Sequence, residues 1–556
     1  MVLGVVLAVY VLAALLVNPF GHLSNDVAGK TASVAAMAAT SGDPDLSYWF
    51  EDADPQGDFF PFRNTRVTET GTWINSTSLT MLLPAAPLWS WFGPRGILVL
   101  PMLGALAAAA AAGAVARRVD PTSDGAIATL WMGLASPVLI YAVDFWEHTW
   151  GAALIVGGMV LLYDTLTDDR VLRSLGAGAM LGLAATMRQE ALVYAFVGGL
   201  TIGGVYVARR QLSMLAKAGF AYVAGFVVPF LSYGLIEAAM IGGTSARSDR
   251  GLTTLQSSGS LLGARITSSL TWLLAPIGSS EPLALVMGCI LVASAAAFAA
   301  WLFTHSPGAE PGFAKKAMIV TWVAWLIGIP LLKPGWLPGL LIASPAAIFG
   351  AVAATIDKRW TLLALSVGPL PLVFATAFVD GAPVQWGSRY TLATGLVLAV
   401  VGIEALRATS RPTFTMVAVA SALLTLSGSV WTIQRSHWIA DDGQRVIDLA
   451  DGDVVVWENA YNAREMADVG YDQRWLSVED PRLRPTLAST LGAAEIDTFV
   501  WVGAASAPHP EFDGYEAGEV IGAFSYEAAF PSHLVRYSRL PSAEAGTATA
   551  LPFSDD

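Results

Sequence analysis

The chain has 556 residues, 54% of them hydrophobic and only 13% charged, with a formal net charge of −13. A water-soluble chain of this length carries about a quarter charged residues, so composition excludes a soluble globular enzyme and points to a hydrocarbon solvent. The acidic balance leaves no basic surface for a nucleic acid, and the single cysteine, Cys289, excludes an internal disulfide and a cysteine-based metal site.

The first apolar run, Val2 to Val17, has neither a basic leader nor a small-residue cleavage site, and reads as a retained helix. Further spans are predicted at Gly96–Ala116, Ala126–Val143, Thr149–Tyr163, Leu175–Met187, Ala191–Ala208, Ala218–Met240, Leu283–Phe303, Ala317–Leu332, Trp336–Thr355, Trp360–Val379, Tyr390–Leu406 and Phe414–Ile433. With the first run this makes about 13 spanning helices. The fold class expected is a polytopic α-helical membrane protein with a small C-terminal α/β domain. Its organisation would be a membrane module over 1–433, an extracytoplasmic domain over 434–540 and a disordered tail over 541–556. In the tail, Asp453 to Trp457 and Thr498 to Val502 read as buried strands with helical stretches between them.

Orientation follows from the short loops. Alternate loops carry Arg117-Arg118, Arg170/Arg173, Arg209-Arg210, Lys315-Lys316, Lys358-Arg359 and Arg407/Arg411. The positive-inside rule places those loops and the N-terminus in the cytoplasm, and the C-terminal domain outside the plasma membrane. The other side has the long segments: the first loop over 18–95, rich in Asp, Trp and Pro; Thr244 to Glu281, with Arg247, Asp249, Arg250 and Arg265; and the tail after Gln434. The Asn75-Ser76-Thr77 sequon lies in the first of these.

An ionisable side chain at the centre of a membrane helix costs about 2.5–3.5 kcal/mol on insertion scales, so such groups mark candidate sites. Asp26 follows the first helix; its carboxylate either faces the outer membrane boundary or belongs to the N-cap of a helix over Ala28–Ala39. Asp144, Glu147 and His148 share one tight turn with Phe145 and Trp146, either as aromatic anchors or as a site. Arg188 follows a run too short to span, so it should sit below the outer surface, where Glu190 or an anionic ligand must stabilise it. Arg389 stands at a helix start beside Trp386 and Tyr390, where a guanidinium opposes the macrodipole unless an anion binds there. All four features fall on the predicted outer side. A carboxylate near cations suits transfer of a group from a lipid phosphate, the carboxylate taking a proton and the arginines stabilising the departing phosphate.

This layout resembles the GT-C superfamily of membrane glycosyltransferases, which includes protein O-mannosyltransferases, aminoarabinose transferases and mycobacterial arabinofuranosyltransferases. The shared pattern is a first helix and long outer loop with an early Asp, here Asp26, then an acidic motif in the next outer turn, here Asp144 and Glu147. An R-P-E-A-like element follows as Arg188-Gln189-Glu190-Ala191, with Gln189 in place of proline, and a W-G-x-R-Y element as Trp386-Gly387-Ser388-Arg389-Tyr390. The resemblance implies an inverting transferase that moves a sugar from a polyprenyl-phosphate donor to a hydroxyl of a glycan, lipid or protein at the outer leaflet. It implies Asp26 as base, Arg188 and Arg389 as phosphate ligands, and no cofactor. A divalent cation on Asp26, Asp144, Glu147 and His148 is compatible with these ligand types but no spacing requires it.

Two other readings compete. A transporter or flippase of a lipid-linked or anionic solute would show paired half-repeats and midplane charges, whereas these charges gather at one face and no repeat is visible. A non-enzymatic envelope assembly protein would use the outer domain to bind glycan.

Overall fold

The computed structural model describes residues 1–241, 273, 281–304, 312–328, 339–376 and 386–540, apart from 23, 63–64, 68–70, 76, 460–462, 464–465, 467–472 and 527–529. Arg247, Asp249, Arg250 and Arg265, as well as the tail over 541–556, lie outside the described residues. Two compact units are present, one of Met1–Pro19, Ser33–Pro44 and Ser76–Ser436, the other of Phe20–Ala32, Asp45–Asn75 and His437–Asp556.

The first unit is a helical bundle. Apolar runs with no competing polar period become helices at Val2–Leu16, Val99–Val119, His148–Asp168, Val171–Met187, Glu190–Ala208, Leu212–Ile241, Glu281–Thr304, Phe313–Gly328 and Leu392–Thr409. Among the described residues, six helices are long and apolar enough to cross a bilayer, which is the polytopic helical class expected. A 40-residue helix, Arg411–Ala450, begins in this unit and ends in the other.

Three expected spans are interrupted. Ala126–Val143 divides into Ala126–Leu134 and Pro137–Ala142; the described part of Trp336–Thr355 into Leu340–Ala343 and Ala346–Ile356; and that of Trp360–Val379 into Trp360–Ser366 and Leu370–Thr376. Pro137, Pro345 and Pro369 stand at the breaks, where proline supplies no N–H and its ring clashes with the preceding turn. The Ser136 side chain restarts the first by accepting from the Val138 amide at 3.2 Å. One helix was hidden inside the long first loop, Leu79–Phe92, capped by the Ser78 hydroxyl accepting from Thr80 N at 3.3 Å.

Polar contacts draw the basic loops to one end of the bundle. Arg118 and Arg173 share Asp164 at 2.5 and 2.9 Å. Arg209 donates to the Leu166 carbonyl at 2.7 Å, and Arg359 to the Val119 carbonyl at 2.9 Å. Arg407 and Ser123 both donate to Glu404, at 2.9 and 3.1 Å. From that end the 21-residue His148–Asp168 helix runs roughly 30 Å, one bilayer core, back to the turn that holds Glu147. The bundle therefore has a basic end and an opposite end a membrane thickness away.

The second unit holds a five-stranded mixed sheet with strands in the order Trp475–Ser477, Val454–Trp457, Thr498–Ala504, Phe530–Arg539 and Tyr515–Tyr526. The expected strands are β3 (Val454–Trp457) and β5 (Thr498–Ala504), which are parallel neighbours; β4 (Trp475–Ser477) extends the parallel edge, and β6 (Tyr515–Tyr526) with β7 (Phe530–Arg539) adds an antiparallel hairpin. The exposed backbone of an edge strand invites mispairing. Here first-loop residues cover it: Ser477 N donates to the Phe59 carbonyl at 2.9 Å, and Trp49 Nε1 to the Trp475 carbonyl at 3.2 Å. That loop segment has its own core, in which Trp73 stacks on Phe60 (5.0 Å, 7°) beside Tyr48, with the short pair β1 (Thr65–Val67) and β2 (Trp73–Asn75) at its edge. Buried Asp54 ties it together, accepting from Tyr48 Oη at 2.8 Å and from the Phe59 amide at 2.9 Å. Burial first, then the Asp54 charge, push the Tyr48 hydroxyl far above its ordinary range. Asn75 of the sequon is buried within β2, which disfavours glycan addition to the folded chain.

Candidate active site

At the end of the bundle opposite the basic loops, four helix termini meet. His148 opens the His148–Asp168 helix, Met187 closes Val171–Met187, Glu190 opens Glu190–Ala208, and a 3-10 turn at Arg389–Thr391 leads into Leu392–Thr409. A helix terminus leaves backbone polar groups uncommitted and lets the adjoining residues leave the helix axis, so charged side chains reach inward here without interrupting a span.

Arg188 is the centre of the cluster. Its Nε donates to Glu190 Oε1 at 2.7 Å and one terminal nitrogen donates to Glu147 Oε1 at 3.1 Å. All three side chains are buried, Arg188 being 7% exposed. The sequence offered Glu190 or an anionic ligand as partner; the structure supplies Glu190 and adds Glu147. Among the described residues, three of the five guanidinium N–H groups have no acceptor. The Arg188 guanidinium also lies 5.3 Å from the Tyr390 ring centre and that of Arg389 4.8 Å from it, so one aromatic ring faces both cations.

The turn before His148 left two readings open in the sequence, aromatic anchors or a site; Asp144, Phe145, Trp146 and Glu147 are all buried. Asp144 Oδ1 accepts from the Phe145 amide at 3.0 Å. The His148 imidazole is stacked on Trp146 (4.4 Å, 22°) and meets the edge of Tyr141 at 4.8 Å, which fixes its plane. A small cavity lies beside it, lined by His148, Glu190, Tyr194, Arg389 and Tyr390 with Leu392 behind. Glu190 presents Oε2 in this region, buried and without a hydrogen-bond partner among the described residues.

Arg389 reaches the cluster through a tight backbone turn. Gly387 has φ +70° and Ser388 φ +56°, two successive left-handed residues, the second strained for a side chain with a Cβ. A Cβ on Gly387 would stand 2.5 Å from Pro137 Cγ, so the turn is seated against a helix break. The Trp386 carbonyl accepts from Tyr141 Oη at 2.8 Å, and the indole is buried. Among the described residues Trp386 Nε1 and Ser388 Oγ are buried without a hydrogen-bond partner.

The structure thus brings Asp144, Glu147, His148, Arg188, Glu190, Trp386, Arg389 and Tyr390 to one region of one unit. Asp26 belongs to the other unit: it is half-buried in the first turn of the Asn25–Ala39 helix, and its amide donates to Ser24 Oγ at 3.2 Å. Ser24 therefore takes the capping place, and the Asp26 carboxylate is not needed for it. Tyr141 and Tyr194 are site residues the sequence did not single out. A tyrosine inside an apolar run needs a partner for its hydroxyl, and that is the signal that would have found them. No group of three His, Asp or Glu side chains able to hold a metal ion occurs among the described residues.

The stem of Arg188 lies against the His148–Asp168 helix at Gly151, where an added Cβ would stand 2.6 Å from Arg188 Cγ. Gly151→Ala is expected to cost about 1–3 kcal/mol of stability by overpacking and to displace the guanidinium. Thermal unfolding in detergent reads the first effect, and a loss of activity larger than the fraction unfolded reads the second.

No protein-family model matches the chain, and no curated protein matches it. Among solved structures it is similar to ArnT from Cupriavidus metallidurans bound to undecaprenyl phosphate, with 13% identity, a TM-score of 0.45, and 97% of this chain and 98% of that one covered. The apo state of the same ArnT gives 13% identity, a TM-score of 0.40 and coverages of 96% and 97%. The apo oligosaccharyltransferase of Archaeoglobus fulgidus gives 12% identity, a TM-score of 0.42, and covers 90% of this chain and 69% of that one. At this identity the likeness concerns the fold and gives no side chain of this chain a role.

Proposed function

We propose that the chain is an inverting membrane glycosyltransferase, moving a sugar from a polyprenyl-phosphate donor to an acceptor hydroxyl at the outer leaflet. The observation that carries the reading is the buried Glu147–Arg188–Glu190 cluster with Arg389 beside it, a bilayer thickness from the basic end. The positive-inside rule puts the basic end in the cytoplasm and the cluster at the outer face. A hydrocarbon-bounded end favours a lipid substrate, and two guanidinium groups over one ring favour a phosphate.

In this reading the acceptor oxygen attacks the anomeric carbon, the carbon–oxygen bond to phosphate breaks, and the electron pair leaves on the lipid phosphate. Arg389 and the remaining N–H groups of Arg188 stabilise that charge. Glu147 and Glu190 hold the Arg188 fork in one orientation, and Glu190 Oε2 with His148 suits the hydroxyls of the sugar. Asp26 is assigned as the base that takes the acceptor proton, with Asp144 helping to shape the turn behind His148. Trp386 supports the segment that carries Arg389.

The direct test uses undecaprenyl phosphate as a probe with the purified full-length chain. Arg389→Ala is expected to weaken its binding by about ten- to a hundredfold, the size of one or two charge-assisted hydrogen bonds. Undiminished binding by a folded Arg389→Ala protein overturns the phosphate assignment.

A further inference from the structure

The basic end of the bundle contains a second cavity, away from the site above. Its floor is buried and apolar: Val115, Met159, Val160, Leu362 and Val397, from four different helices. Its rim is half-exposed and carries two guanidinium groups, Arg118 and Arg359. The enclosed part of the cavity is only about 20 Å³, so the groove is shallow and an acyl chain would lie across its floor rather than enter it.

Both arginines are held in place by protein groups that leave donors over. Arg118 gives Nε and one terminal nitrogen to Asp164, each at 2.5 Å, and its other terminal nitrogen to the Ala114 carbonyl at 2.9 Å. Arg359 gives Nε to Asp357 at 3.3 Å and one terminal nitrogen to the Val119 carbonyl at 2.9 Å. A guanidinium has five N–H groups, so among the described residues two remain on Arg118 and three on Arg359. Their side chains are 30% and 29% exposed, at the mouth of an apolar groove.

We propose that this groove holds an anionic phospholipid of the leaflet at the basic end. The phosphodiester would accept from Arg118 and Arg359, and a chain segment would cover the apolar floor. The two halves of the site argue together. Apolar walls alone suit any lipid, and surface arginines alone suit any anion. Immobilised guanidiniums above a buried apolar floor select a molecule that has both parts. The acids that face these cations are Asp120, Asp164, Asp168 and Asp357; the last three are paired to arginine, and Asp120 accepts from the Thr122 amide and hydroxyl.

Native mass spectrometry of the purified full-length protein tests this, after exchange into an equimolar mixture of phosphatidylglycerol and phosphatidylcholine with identical chains. Preferential retention of phosphatidylglycerol is expected, with Arg359→Gln lowering that preference about fivefold, the attraction of one guanidinium for an anionic leaflet. Asp357→Asn, which removes an acidic partner, is expected to raise it, and covers the case in which Arg359→Gln does not fold. Displacement of the bound lipid by inorganic phosphate, equal retention of the two lipids, or indifference to both substitutions overturns the proposal. The readout is lipid retention, so it stands or falls separately from glycosyl transfer.

Discussion

Arg188→Met is expected to destabilise the helical bundle by about 3–5 kcal/mol and to abolish transfer. The size follows from what is left behind. Glu147 and Glu190 both lean on this one guanidinium, at 3.1 and 2.7 Å, and all three are buried. Removing the cation strands two carboxylates in a medium that cannot solvate them, and they must protonate or drag in water. A triple variant, Arg188→Met with Glu147→Gln and Glu190→Gln, removes the charges together. It is expected to recover most of the unfolding temperature, because a buried ion cluster replaced whole is often neutral in stability, and to recover none of the activity. Thermal unfolding of detergent-solubilised protein, beside a transfer assay on the same samples, separates the two effects. Full stability of the single variant would mean that the carboxylates are solvated in the native membrane.

Asp26→Asn is expected to give the opposite split, a loss of about 10²–10⁴ in turnover with normal accumulation. Its carboxylate is not the helix cap, which falls to Ser24; the first-turn charge that the fold loses is worth about 0.3–1 kcal/mol. The amide keeps the shape of the side chain and lacks the basicity. Transfer measured in membranes, normalised to protein amount, decides it; near-normal turnover removes Asp26 from the role of base.

Much of this architecture was legible from hydropathy because the bilayer is a demanding solvent. A run such as Ala191 to Ala208 has few alternatives to a helix, and the structure ends that helix at the residue expected. Arg118, Arg173, Arg209, Arg359 and Arg407 of the basic loops lie toward one end of the bundle. What hydropathy missed has physical causes. Proline breaks at Pro137 and Pro345 do not alter an average taken over an apolar window, although they end the hydrogen-bond ladder. The Leu79–Phe92 helix was taken for loop because it contains Pro84 and Pro87 and follows an acidic stretch. The hairpin of β6 and β7 was missed because its strands mix Gly, Ser, Glu and Arg with apolar residues, and tertiary pairing decided it. The share of first-loop residues in the sheet unit is a long-range pairing that no local pattern encodes.

In the site, the ionisable residues announced themselves by their cost; Arg188 is buried as expected, although the helix before it starts earlier than the run Leu175–Met187, at Val171. The second carboxylate on Arg188 was not legible, since Glu147 lies 41 positions away and only the packing of two helices joins them. The burial of the turn from Asp144 to Glu147 was not legible for a similar reason. A connection between spans is normally wet, and here neighbouring helix ends close over it.

The seat of Gly387 carries one more consequence. This turn rests on Pro137 and on Ala343, the points at which two membrane helices lose their continuity. Backbone carbonyls released at such interruptions cannot face hydrocarbon and must be sheltered by protein or by a polar guest. The strand of chain bearing Arg389 thus rests where the bilayer's prohibition on irregular backbone has been lifted twice over. Any change that mends either interruption, such as an alanine for Pro137, would straighten the helix and evict the turn, so the reach of the arginine is governed by residues that never meet a substrate.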